Sequence, residues 1–186
     1  LVEKPFCPEV RQCRELIELA AATERILMVA HCVRFHPAWE LLAGCIADGR
    51  YGALNLITTC RMGGEPTLGT WQDPVTRRSS GGSLLDLLIH DIDFAVSCLG
   101  RPGAASLNFV QGEYREVELA YPGGAKVSIK GGFLHKNTAF QADFAATFAR
   151  ASLRYNSLRP EVVQVGSDAG AETIQVPGDL YRNELA

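Results

Sequence analysis

The 186-residue sequence has no uninterrupted apolar run approaching the roughly 20 residues a membrane-spanning helix needs, and its opening lacks a signal-peptide pattern. A cytoplasmic location and no membrane partner are therefore expected. Net charge is scarce too: the formal value is −3, with acidic and basic residues mixed along the chain, which leaves no electrostatic footprint for nucleic acid. The six cysteines (Cys7, Cys13, Cys32, Cys45, Cys60 and Cys98) show neither a CxxC pair nor dense clustering, and read as reduced, partly buried thiols. His31, Cys32 and His36 lack a recognisable ligand spacing, so no metal is expected. Internal repeats and low-complexity segments are absent. With those classes set aside, a small molecule is the default ligand. What is present is globular: 47% of the residues are hydrophobic, and the length allows one large domain or parts of two, with a substantial core.

The stretch that organises the chain is Gly81-Gly82-Ser83-Leu84-Leu85-Asp86-Leu87-Leu88-Ile89-His90-Asp91-Ile92-Asp93, where ionisable groups interrupt a dense run of leucine and isoleucine. A glycine pair followed by good helix formers predicts a loop entering a helix, with Asp86 and His90 one turn apart on one face, roughly 6 Å along the axis. A carboxylate and an imidazole so spaced can reach one substrate, and the imidazole exchanges protons near neutral pH. The same residues also suit a locally paired carboxylate and a satisfied core histidine.

Leu1-Val2-Glu3-Lys4-Pro5 reads as the end of a strand, and Val10, Cys13, Leu16, Ile17, Ala20 and Ala21 recur at helical spacing up to about Thr23. Ile26 to Ala30 is an apolar run of strand length. Strand end, helix and strand form the pattern of a parallel crossover, whose sheet is normally covered on both faces, so its partner strands are expected upstream or from another chain. A second helix is predicted from Ala38 to Asp48, a strand from Leu54 to Arg61, and a long loop from Met62 to Ser80, whose Trp71, Arg77 and Arg78 suit either a site or a surface. After Gly100 the character changes. Ala104 to Val110, Tyr114 to Tyr121, Ala125 to Leu134, Phe140 to Ala149 and Ser152 to Tyr155 are strand candidates, with Pro122-Gly123-Gly124 a hairpin turn and further strands at Glu161 to Val165 and Thr173 to Val176. Gly178 to Ala186 reads as the approach to a helix. An antiparallel sheet backed by helices follows.

Three elements in fixed order, Glu3-Lys4-Pro5, Arg34-Phe35-His36-Pro37 and the Gly81 to Asp93 stretch, resemble the glucose-fructose oxidoreductase and inositol dehydrogenase (Gfo/Idh/MocA) family, over Leu1 to about Tyr155. The resemblance implies an α+β fold: an open, mostly antiparallel sheet with helices on one face, like the C-terminal domain of glyceraldehyde-3-phosphate dehydrogenase, preceded by a remnant of a parallel Rossmann sheet. It divides the chain into residues 1–31, the terminal strand-helix-strand of a truncated Rossmann domain, and 32–186, a substrate and oligomerisation domain with an incomplete C-terminus. It further implies an NAD- or NADP-dependent oxidoreductase acting on a sugar, polyol or related hydroxy compound, homo-oligomeric through the sheet face. The catalytic positions are Lys4, Asp86 and His90. By the same resemblance Glu3, Lys4, Pro5 and Arg34 contact the cofactor, and Lys4, Trp71, Asp86 and His90 the substrate. His90 would take the hydroxyl proton as hydride leaves the same carbon, Lys4 would hold the oxygen, and Asp86 would orient a hydroxyl and bias the imidazole.

Two departures stand beside these matches. The G-x-G-x-x-G turn that brings backbone close to a pyrophosphate is absent, and neither Gly63-Gly64 nor Gly131-Gly132 supplies it. The residue that separates NAD from NADP belongs to the same region. Ala149-Arg150-Ala151 stands where family members commonly turn through glycine. An excerpt of a longer enzyme, inactive alone, is the expectation; a noncatalytic binding or dimerisation module of the same fold is the alternative, and a relative that uses bound cofactor for glycoside cleavage is a third.

Overall fold

The computed structural model describes residues 1–67, 72–73, 75–76 and 81–185. Trp71, Arg77 and Arg78 lie outside the described residues. Eight strands form one sheet: β1 (Leu54–Gly64), β2 (Ala104–Gln111), β3 (Tyr114–Ala120), β4 (Lys126–Leu134), β5 (Gln141–Phe148), β6 (Ala151–Tyr155), β7 (Val162–Ser167) and β8 (Gly170–Gln175). Their order is β2-β3-β4-β1-β5-β6-β7-β8. Every neighbouring pair is antiparallel except β1 with β4, which run parallel from Leu56↔Lys126 to Gly64↔Leu134. The expected α+β architecture is what the chain adopts.

Period-two alternation decides which face is covered. Ile57, Thr59 and Arg61 of β1, Val117 and Leu119 of β3, and Ala142, Phe144, Ala146 and Phe148 of β5 point inward and are buried. Against them pack helix α2 (Pro37–Asp48), through Trp39, Leu42 and Cys45, and helix α3 (Ile89–Leu99), through Phe94 and Ala95. Pro37 opens α2 at a position where a missing N–H costs nothing, and Gly49 closes it in the left-handed conformation.

Insertion of β1 between β4 and β5 was not expected from the sequence, and Gly131 permits it. At φ +146° this residue lies alongside β1, where a Cβ would overlap the Arg61 carbonyl oxygen. The strand also runs three residues beyond its expected end. The turn at Ala149-Arg150 is made without glycine: Ala149 N–H donates to the Ala53 carbonyl (2.9 Å) and Arg150 N–H to that of Tyr51 (3.0 Å).

At the amino end, helix α1 (Val10–Ala22) buries no residue, and the apolar run after it forms a single parallel bridge, Val2↔Val29, instead of a full strand. Ile26 is 97% exposed. Among the described residues no further strand extends this pair, which is why the apolar run stays short of a full strand. No described helix is long and apolar enough to cross a membrane.

Candidate active site

Lys4, near the start of the sequence, and His90, near its middle, reach the same cavity. Val2 is held by hydrogen bonds to both sides of Val29 (Val2 N–H to Met28 O and Ala30 N–H to Val2 O, each 2.8 Å), which sets the following residues, Glu3 and Lys4, at the end of a parallel pair. The Lys4–Pro5 peptide is cis. Asp86 comes from the central stretch, which the sequence predicts as ordinary α-helix. Instead Leu84–Leu88 form one π-helical turn that runs directly into α3. The widened turn is anchored at Ser83, whose N–H donates to Glu113 Oε2 (3.0 Å) and whose hydroxyl donates to the Glu113 carbonyl. Gly82, at φ +58°, carries the chain into it against the Glu113 carboxylate.

The Lys4 ammonium donates to Asp86 twice, to Oδ1 at 2.7 Å and to the backbone carbonyl at 2.6 Å. His90, on the first turn of α3, is 9% exposed, and its Nδ1 has no hydrogen-bond partner among the described residues. Burial, then the cations Arg61 and Lys4, and then His31 push its pKa down to about 3, so the imidazole is neutral at physiological pH. The rings of His31 and His90 meet edge-on, 6.5 Å between centroids.

A cavity of about 320 Å³ is lined by Glu3, Lys4, Asp86 and His90, together with Arg61, His36, Tyr155 and the underside of the C-terminal helix α4 (Leu180–Glu184). Arg61 reaches it from an inward position of β1. Its guanidinium is held bidentately by Asp91, Nε to Oδ2 at 2.6 Å and Nη2 to Oδ1 at 3.1 Å, with both side chains almost fully buried. It also lies 5.8 Å from the centre of the Trp39 ring. His36 caps α2: its Nδ1 accepts from Ala38 N–H (3.2 Å), which places the proton of the neutral ring on Nε2, 3.3 Å from the Tyr155 hydroxyl. Burial, then Arg61, push the His36 pKa down to about 4.

Of the residues expected at the site, the structure brings together Glu3, Lys4, Asp86 and His90. Pro5 and Arg34 do not line the cavity. Arg34 is gripped by Asp93, Nε to Oδ2 at 2.7 Å and Nη2 to Oδ1 at 2.6 Å, and so ties the short turn Cys32–Phe35 to α3. Trp71 lies outside the described residues. Sequence reading passed over Arg61, Asp91 and Glu184. Arg61 had a signal, a charged residue at the inward phase of the Ile57, Thr59, Arg61 alternation; Glu184, near the end of a short polar stretch, had none.

Geometry and fold define a class: a sheet with helices on one face and a lysine, a carboxylate and a neutral histidine on one cavity. No family model matches the chain. It is 33% identical over 99 residues to inositol 2-dehydrogenase of Rhizobium meliloti (strain 1021), a match covering 53% of this chain and 28% of that protein. With trans-1,2-dihydrobenzene-1,2-diol dehydrogenase of Sus scrofa it shares 29% identity over 135 residues, covering 69% of this chain and 39% of that protein. Among solved structures, levoglucosan dehydrogenase in complex with NADH and levoglucosan superimposes with a TM-score of 0.80 at 16% identity, covering 98% of this chain and 60% of that one. An inositol dehydrogenase homologue from Azotobacter vinelandii, complexed with NADH and myo-inositol, gives 0.77 at 17%, covering 98% and 56%. The chain thus spans well under two thirds of the relatives it matches. The likeness in sequence is to named dehydrogenases over part of their length, and the likeness to the solved structures is one of fold.

Proposed function

We propose that this chain carries the substrate site of an oxidoreductase that moves a hydride between NAD or NADP and a hydroxyl-bearing carbon of a sugar, polyol or related hydroxy compound. The observation that carries the reading is the meeting of Lys4, Asp86 and His90 on one cavity although 82 positions separate the lysine from the aspartate. The names of the sequence relatives, all dehydrogenases, support it.

The residues present suit the reactive end of a nicotinamide cofactor. Glu3, Lys4 and Ala30 border the cavity at the ends of the parallel bridge, the side on which open parallel sheets receive dinucleotides. Glu3 and Lys4 would hold that end; a cradle for the pyrophosphate is not encoded in this sequence. When bound, the nicotinamide accepts the hydride.

The chain's own residues handle the proton and the charge. His90 is neutral, the form that can accept a proton from a hydroxyl. Lys4 Nζ faces the oxygen on which negative charge develops. Asp86 fixes that ammonium by two hydrogen bonds and so keeps it pointed into the cavity.

Residues 1–31, with the uncovered α1 and its single bridge, belong in this reading to the nucleotide-binding sheet, and 32–186 to the substrate and assembly domain. The outer sheet face, carrying Thr58, Cys60 and Met62, is the assembly surface. The decisive experiment uses the protein as expressed from its own gene, with NAD or NADP and a panel of sugars and polyols, following absorbance of the reduced nicotinamide. His90→Ala should lower kcat by roughly 100-fold or more while leaving nucleotide affinity unchanged. Equal turnover by the variant would remove His90 from proton transfer.

A further inference from the structure

Two donors border the cavity beside Lys4, Asp86 and His90, and the fold uses up neither. Arg61 reaches it from β1 with 5% of its surface exposed. Asp91 engages two of the three guanidinium nitrogens, Nε at 2.6 Å and Nη2 at 3.1 Å. Nη1 makes no hydrogen bond among the described residues, yet it is not sealed from water as His90 Nδ1 is. The guanidinium thus turns one edge to its carboxylate and leaves the other open at the cavity. Tyr155, 4% exposed, is the second donor. His36 Nδ1 accepts from Ala38 N–H, so the ring proton sits on Nε2 and is donated to the Tyr155 oxygen, 3.3 Å away. The hydroxyl hydrogen of Tyr155 is thereby turned away from His36 and finds no acceptor among the described residues. The Arg61 guanidinium carbon and the rings of His36 and Tyr155 lie 5.8, 4.8 and 4.9 Å from the centre of the Trp39 ring, so both donors share the Trp39 side of the cavity.

A largely buried donor without an acceptor is costly, and a ligand oxygen that reaches it removes the cost. We propose that Arg61 Nη1 and the Tyr155 hydroxyl form a substrate-binding subsite that donates hydrogen bonds to a hydroxyl oxygen other than the one that reacts, so that the cavity selects a polyhydroxy compound over a simple alcohol. A ligand lacking that second oxygen leaves both donors unpaired, which is how a polar site rejects an incomplete substrate. Asp91 offsets the charge of the guanidinium, which suits an uncharged hydroxyl. That the reacting oxygen belongs to Lys4 and His90 rests on the dehydrogenase reading; the subsite rests on the placement of the two donors.

The test is an NMR titration of the protein as expressed from its own gene, with and without NADH, comparing myo-inositol with cyclohexanol, which keeps the ring and one hydroxyl. Arg61→Lys retains a cation for Asp91 but has no second edge to offer. It should weaken myo-inositol binding by roughly 10-fold or more and change that of cyclohexanol by less than about 2-fold. Tyr155→Phe removes only the hydroxyl, and should weaken myo-inositol by about 3-fold or more with the same indifference to cyclohexanol. Circular dichroism checks that each variant is folded, and if Arg61→Lys is not, Tyr155→Phe decides alone. Equal weakening of the two compounds, unchanged myo-inositol affinity in either folded variant, or no binding of myo-inositol by the parent would overturn the proposal. Hydride transfer is measured separately, so a protein that keeps this selectivity without turnover sinks the dehydrogenase reading alone.

Discussion

A single lysine and a single buried arginine show how charge is placed at this site. Lys4 is anchored to Asp86 and lies beside a neutral imidazole, so its cation is the group on hand when an alkoxide forms. Lys4→Met, which keeps the apolar stem and removes the charge, should reduce kcat by about 100-fold or more in a dehydrogenase assay, with little change in thermal stability because the pair is partly exposed. Arg61 is different. Its partner Asp91 is 1% exposed, and an arginine left alone there would be an uncompensated buried charge. Asp91→Ala should cost roughly 3–5 kcal/mol of unfolding free energy in urea titrations, and the double variant Arg61→Met with Asp91→Leu should recover most of it. A loss below about 1 kcal/mol for the single variant would mean that water reaches the guanidinium.

The strands of the sheet were largely legible because alternation leaves a mark: Phe144, Ala146 and Phe148 face the helices while Asp143, Ala145 and Thr147 do not, and the strand boundaries follow to within a few residues. Pairing was legible only where a turn supplied it, as at Pro122-Gly123-Gly124. The parallel seam between β1 and β4 joins segments some 70 positions apart, and no local signal marks it. Gly131 is the trace it leaves, yet in sequence Gly131-Gly132 looks like any glycine pair. The π turn at Leu84–Leu88 was equally hidden, since it depends on Glu113 in the β2–β3 hairpin. These dependences can be tested at the seam. Gly131→Ala forces a Cβ onto the Arg61 carbonyl at a positive φ, and should lower stability by more than about 2 kcal/mol, whereas Gly123→Ala, with open space around it, should change it by less than about 0.5 kcal/mol. Equal melting temperatures for the two variants would show that β1 does not press against β4 at this point.

Across the whole molecule, the histidines couple folding to pH. His36 is held near 4 and His90 near 3 by burial and by Arg61, and His31 is lowered as well, chiefly by burial and against the pull of Asp93. In the unfolded chain each returns to about 6.5. Between these values the unfolded state binds protons that the folded state refuses, so stability is complete above about pH 6.5 and declines as pH falls toward the folded values. This is the reverse of a histidine that gains an anionic partner on folding. For His90, which is 9% exposed, the slope is roughly 1.4 kcal/mol per pH unit, and the window from about pH 6.5 to about pH 4.5 lies above the main carboxylate titrations. Urea unfolding across that window should therefore show stability dropping steadily, and His90→Gln should flatten the line by about that slope whatever it does to the absolute value. The same burial that makes His90 a neutral proton acceptor thus makes the fold acid-sensitive. If the variant and the parent lose stability in parallel, His90 is open to solvent, and its neutrality at physiological pH would have to come from its ordinary pKa alone.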